Sequence, residues 1–355
     1  MNRLLKIVKL LSLPALLSLA VTLPAWGQVP EETPADRLPR YHIYLQSLEV
    51  HSGGLNVFNR LDARAKPERK IVEKPVRHAG NHSVDGDLAV FIGSVKVVSG
   101  FINIGHRGVT DDLYGPVSAV FHGPVKTYTL TAENGGRAEF NDTVYLLGNI
   151  YLEGRQKTET SLIFHGPVDV VVGNIHLSGH SSAVFMNEVL AVTGGSLKLD
   201  DADSRSSVTV GGSGRIDLVG SVVWAAGGPK RESEGLKVAG ANRLIFSLSS
   251  SRPADGFIKT DNAAIDADCL VIDNPDDVLK EGEEIILITG EKIKLSGDNR
   301  RIVTKQGDEF KLLVGDKQIS AKLTNRGIDA ERKRRDVWAG EDDASAWYNT
   351  LEFNF

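Results

Sequence analysis

The chain has 355 residues, 36 of them glycine, with 6% aromatic residues and a formal net charge of −5. That length can bury a substantial core in one elongated domain or in several compact ones, and a glycine-rich, aromatic-poor balance favours many short strands joined by tight turns. The acidic charge argues against nucleic acid or anionic lipid as the main partner, and a lone cysteine, Cys269, excludes a disulfide framework.

The first residues, MNRLLKIVKLLSLPALLSLAVTLPAWG, place Arg3, Lys6 and Lys9 before an apolar run from Leu10 to Leu23, with small residues at Ala25 and Gly27. This predicts a secretory signal over residues 1–27. Its apolar run is short for a membrane span of about 20 residues, and no later segment is long and apolar enough for one, so no transmembrane helix is expected in the mature chain. Losing the three cations of the signal takes the formal charge from −5 to −8. The chain is expected to pass through the periplasm and end secreted or at the outer membrane or cell surface of a bacterium.

Residues 28–85 read as a leader and a cap. QVPEETPADRLPR is proline-rich and charged, YHIYLQSLEV and GGLNVF alternate like strands of a first coil or a cap on it, and the basic run Arg60–His82 reads as a loop or a segment covering the end of a solenoid.

Residues 86–240 hold a repeat. LAVFIGSV, SAVFHGPV, RAEFNDTV, SLIFHGPV and SAVFMNEV align on Phe91, Phe121, Phe140, Phe164 and Phe185, at spacings of 30, 19, 24 and 21. A second element follows each, in GFINI, GNIYL, GNIHL, GSLKL and GRIDL, where a glycine precedes period-2 alternation. Units this small cannot bury an apolar face alone and must stack. The predicted fold is an all-β, single-stranded parallel β-helix, with the phenylalanines in one interior column, the valines four residues later in another, and the Ile and Leu pairs in a third wall. Recurrence of the same letters at the same offsets favours this over an irregular β-sandwich, which has similar strand spacing.

FHGPV occurs twice, carrying His122 and His165. In a regular β-helix these lie two coils apart, about 10 Å, too far to share a proton or a metal ion. The position after each phenylalanine reads Ile92, His122, Asn141, His165 and Met186, with no common chemistry. Gly and Pro at the next positions fit a bend, so the motif reads as scaffold.

Residues 241–325 change to longer strands (NRLIFSLS, DCLVID, EEIILITG, EFKLLVG, QISAKLT), expected to close the β-helix with a capping region in which Cys269 is a small core residue. Residues 326–355 form a charged linker, ERKRRD, and a terminal strand alternating through Trp347, Leu351, Phe353 and Phe355.

Outward positions of the second elements read Asn103, Tyr151, His176, Lys198 and Asp217, and their chemistry changes at every coil. The acidic clusters Asp111–Asp112, Asp200–Asp201–Asp203 and Glu341–Asp342–Asp343 lack the spaced ligands of a calcium loop, and His176 and His180 flank a turn rather than sharing a helix face. No phosphate loop, nucleophile elbow or H-E-x-x-H is present. The sequence therefore assigns no catalytic, cofactor-binding or metal residue.

The segment from Ala241 to Gly290, ANRLIFSLSSSRPADGFIKTDNAAIDADCLVIDNPDDVLKEGEEIILITG, resembles the C-terminal part of bacterial autotransporter passengers, and the likeness extends loosely over the repeats from Leu88. The resemblance implies an exported, non-enzymatic adhesion or binding module whose partners are surface glycans or proteins. It departs from the family in having no room for a translocator barrel after Asn325. Two other readings stand beside it: a polysaccharide lyase or glycoside hydrolase on the same scaffold, and a passenger remnant without its barrel.

Overall fold

A computed structural model describes residues 40–326 apart from the short stretches 62–67, 107–112, 156–157, 200–202, 219–220, 226–227, 233–234, 275–277, 298–300 and 305–306. The expected signal, most of the leader, the terminal strand and the acidic residues Asp111, Asp112, Asp200, Asp201, Glu341, Asp342 and Asp343 lie outside the described residues. The regular structure of the described residues is nearly all β, and most of its strands pair in parallel into two long sheets.

One sheet has ten strands, one from each coil, and carries the phenylalanine column. Val117–Phe121 pairs with Gly136–Phe140, which pairs with Thr160–Phe164 and then with Ser181–Phe185, always matching phenylalanine to phenylalanine. The other large sheet takes the two remaining strands of each coil; in four coils these fuse, into Val168–Ser178, Glu188–Leu199, Ile258–Asp266 and Glu284–Ser296. The predicted parallel β-helix is therefore the fold, and its three interior walls are those expected from the repeat.

The first wall is an aromatic stack. Tyr44, Phe91, Phe121, Phe140, Phe164 and Phe185 lie with successive ring centroids 5.0, 4.8, 4.8, 4.9 and 5.0 Å apart and nearly parallel planes. Isolated aromatic pairs prefer offset or edge-on contact. Here the in-register ladder, at about 4.8 Å per strand, imposes face-to-face repetition. Burying each ring contributes about 1.5–3 kcal/mol. Val95, Val125, Val144, Val168 and Val189 make the second wall, and Ile102, Leu130, Ile150, Ile175 and Leu197 the third, all buried. Cys269 is buried as expected.

The glycine of FHGPV is required where corners of adjacent coils meet. A Cβ at Gly166 would lie 2.4 Å from the Asp142 carbonyl carbon, and one at Gly123 would lie 2.8 Å from that of Gly93.

The basic run covers the end of the solenoid, as expected, and it does so as a regular coil. The first coil in sequence is not the end of the rod. Tyr41–Tyr44 lies between Arg69–Val72 and Leu88–Phe91, so the basic segment forms a full terminal coil stacked outside the first. The chain then steps back across that first coil between Asp85 and Leu88. A polar knot fastens the crossing: the Arg40 amide donates to Asp87 Oδ2 (2.6 Å), the Arg40 guanidinium pairs with Asp85 (3.0 Å) and donates to Asn59 Oδ1 (2.9 Å), and Asn59 Nδ2 donates to Asp87 Oδ1 (2.8 Å). On the inner side of this terminal coil Val72, Val76 and Val84 continue the core, while His78 and His82 replace Val50 and Leu55 of the coil below and Lys70 stands over His42, so the core thins into polar groups.

One feature departs from the sequence reading, the placement of GRIDL. Arg215–Leu218 pairs with Glu188–Ala191, which places Ile216 below Val189 in the second wall, not the third. A hairpin of Ser221–Ala225 and Gly228–Glu232 intervenes, and the third wall resumes at Gly235–Val238, paired with Ser196–Leu199. At the far end, Glu284–Ser296 pairs antiparallel with Gln318–Asn325, which pairs with Glu309–Val314, so the parallel edge is covered by an antiparallel cap.

Candidate functional site

The outer face of the ten-stranded sheet is where the repeat breaks its own rule. The residue before each phenylalanine points outward and reads Val90, Val120, Glu139, Ile163 and Val184 in successive coils. Both Val90 and Val120 are only 5% exposed. Period-2 alternation fixes which way these residues point, and β-branched residues suit a strand, so the carboxylate at Glu139 is the one member of this series that the scaffold does not call for.

Glu139 is held between the two histidines of the repeated motif. Its coil lies between theirs, and His165 Nε2 is 3.0 Å from Glu139 Oε1. On the opposite side, burial holds the His122 imidazole below the ordinary histidine range against the opposing pull of the Glu139 charge. Asn141 Nδ2 donates to His122 Nδ1 at 3.3 Å, an arrangement that leaves the His122 proton on Nε2. His122 and His165 do sit two coils apart and share no contact. What the separation of the two histidines did not reveal is the carboxylate of the intervening coil.

The Glu139 side chain is 12% exposed, and its Oε2 is buried without a hydrogen-bond partner among the described residues. A buried carboxylate oxygen lacking a donor costs about 1–3 kcal/mol or more, and such groups are uncommon enough to call for an explanation. The His165 side chain covering the other oxygen is 45% exposed. A hydroxyl or ammonium group taking the place of this ring would meet Oε1, between the apolar neighbours Val120 and Ile163. Asn141 and His122 would stand at the edge as further polar partners.

The other residues singled out in the sequence are placed as follows. Asn103, Tyr151, His176 and Lys198 do share one outward column, with Thr131 between Asn103 and Tyr151, but Asp217 belongs to another, beside Lys259. His180 lies in the bend after Gly179. Among the described residues, no three His, Cys, Asp or Glu side chains gather as metal ligands, and no helix is long and apolar enough to cross a membrane. The sequence did hold a signal for Glu139: RAEF departs from LAVF, SAVF and SLIF at that letter alone among the outward β-branched set.

No protein-family model, no curated protein and no solved structure matches the chain.

Proposed function

We propose that this protein is an exported, non-enzymatic β-solenoid of the autotransporter-passenger type. On this reading it binds surface glycans or proteins through the outer face of its phenylalanine-bearing sheet. One observation carries the proposal: the Glu139 carboxylate replaces an apolar residue, has one oxygen without a donor, and is bracketed by His122, Asn141 and His165. A group that the scaffold does not use and that costs stability is the mark of a site kept for function. A rigid rod presenting such a site suits multivalent attachment, in which affinity is multiplied by geometry rather than by new contacts.

The test is a glycan array probed with the purified chain and with Glu139→Gln, run beside a reducing-sugar release assay. Binding by the parent chain, lost in Glu139→Gln without sugar release, supports the proposal. Release of reducing ends that depends on Glu139 would make it a hydrolase and sink the non-enzymatic reading. An array signal unchanged by Glu139→Gln removes Glu139 from recognition.

A further inference from the structure

The corrected register exposes a second surface. In the third wall, the outward column continues from Tyr151 through His176 to Lys198, and then not to Asp217 but to Lys237, Ala264 and Lys294. An acidic residue thus leaves the column and a basic one enters. Three of its last four positions are lysine, and Lys292 lies two residues before Lys294 on the same outward side. Among the described residues no carboxylate pairs with Lys237, Lys292 or Lys294. Of the described acids nearby, Glu153 and Asp266 stand in the neighbouring column, where Asp266 accepts from the Asp268 amide, and Glu291 and Asp316 lie at the far end, where the Asp316 carbonyl accepts from the Ile293 amide. At the other end of the column, Tyr151 is 40% exposed and meets His176 edge-on, with ring centroids 6.2 Å apart.

We propose that this column, Tyr151, His176, Lys198, Lys237 and Lys294, is a binding track for an extended acidic polysaccharide. The coils advance by about 4.8 Å, close to the advance per sugar of an extended polysaccharide, so a uronic-acid chain laid along the rod meets the lysines in register. The exposed Tyr151 ring offers an apolar platform for a sugar face. The column has no run of aromatic rings on which the bases of a nucleic-acid strand would stack. The inference rests on the reading of the rod as a binding module, but not on the Glu139 cluster, which belongs to the other sheet.

The experiment is titration of the purified chain with polygalacturonate and with its fully methyl-esterified form, at low and at moderate salt, for the parent, Lys237→Gln/Lys294→Gln, Lys237→Arg/Lys294→Arg and Glu139→Gln. The expected result is polygalacturonate binding that weakens with salt, is absent for the neutral ester, falls at least tenfold in the glutamine double variant and survives in the arginine variant. Glu139→Gln is expected to bind polygalacturonate as the parent does, which separates this site from the glycan site above. The inference is overturned if the glutamine double variant, folded by circular dichroism, binds like the parent. It is equally overturned if the parent binds the neutral ester or single-stranded DNA of matched charge as well as polygalacturonate, or binds none of them.

Discussion

Replacing Glu139 by valine, the residue at the equivalent position two coils on and one coil before, is expected to stabilise the protein while abolishing binding at the sheet face. The terms can be set against each other. Removing a buried carboxylate oxygen that lacks a donor relieves about 1–3 kcal/mol. The side chain is 12% exposed, so a valine between Val120 and Ile163 adds roughly 1 kcal/mol of apolar burial. Against these stands the lost ion pair with His165, whose side chain is 45% exposed; a pair so open to solvent contributes about 0–1 kcal/mol. The net expectation is a gain of about 1–4 kcal/mol, read as a higher urea midpoint with an unchanged denaturant slope. Repeat proteins can unfold in sections, so hydrogen exchange across residues 117–164 should report the same gain locally. Glu139→Val coming out less stable than the parent by 1 kcal/mol or more would make the carboxylate part of the scaffold, and the functional argument built on its cost would fail.

Acid should loosen the terminal coil first. Burial, reinforced by the nearby charges of His78, Lys70 and His42, pulls the His82 imidazole from 6.5 down to about 4, and burial pulls His42 in the same direction. The unfolded segment then takes up protons that the folded one refuses, so stability present above pH 6.5 is lost as pH falls from there toward 4. Amide protection of residues 69–85, corrected for intrinsic exchange, should drop between pH 7 and 5 while residues 117–185 hold theirs; an equal response in both regions refutes this. In the aromatic column, Phe140 stacks on two neighbours and Phe185 on one, so Phe140→Leu should cost about 0.5–1.5 kcal/mol more than Phe185→Leu, and a reversed order in urea melts counts against stacking. Burial pushes the Cys269 thiol up to about 11, and maleimide should label it only after denaturation; labelling of the native protein on mixing contradicts its placement. Gly179 has φ +67°, and a Cβ there would lie 1.8 Å from the Gly154 carbonyl oxygen, so Gly179→Ala should cost on the order of 3 kcal/mol in the same melts, against about 1 kcal/mol at Gly282→Ser, where φ is +88° but the space is open.

The interior columns were legible because a stacked coil repeats its chemistry at each turn: Phe121, Phe140 and Phe164 must occupy equivalent places if their flanking valines and glycines do. Coil order was not legible. Arg69–Val72 carries a strand pattern too polar to announce itself, since of its inner positions only Val72 joins the core while Lys70 stands over His42, and the knot of Arg40, Asn59 and Asp87 records that the chain crosses back.

The same distinction explains why both candidate surfaces escaped a reading by local pattern. Alternation in GRIDL states that Ile216 and Leu218 face inward, but it says nothing about which wall they face into. That choice is made by the hairpin at 221–232, which delays the third wall until Gly235 and so exchanges Asp217 for Lys237 in the outward column. Glu139 is likewise ordinary within its own strand and becomes unusual only when the coils above and below supply Val120, Ile163 and the two histidines. In a solenoid, the strand pattern decides what is buried, whereas the stacking order decides which exposed groups become neighbours. Function on such a rod belongs to the second kind of information, and single residues that depart from their column are the place to look for it.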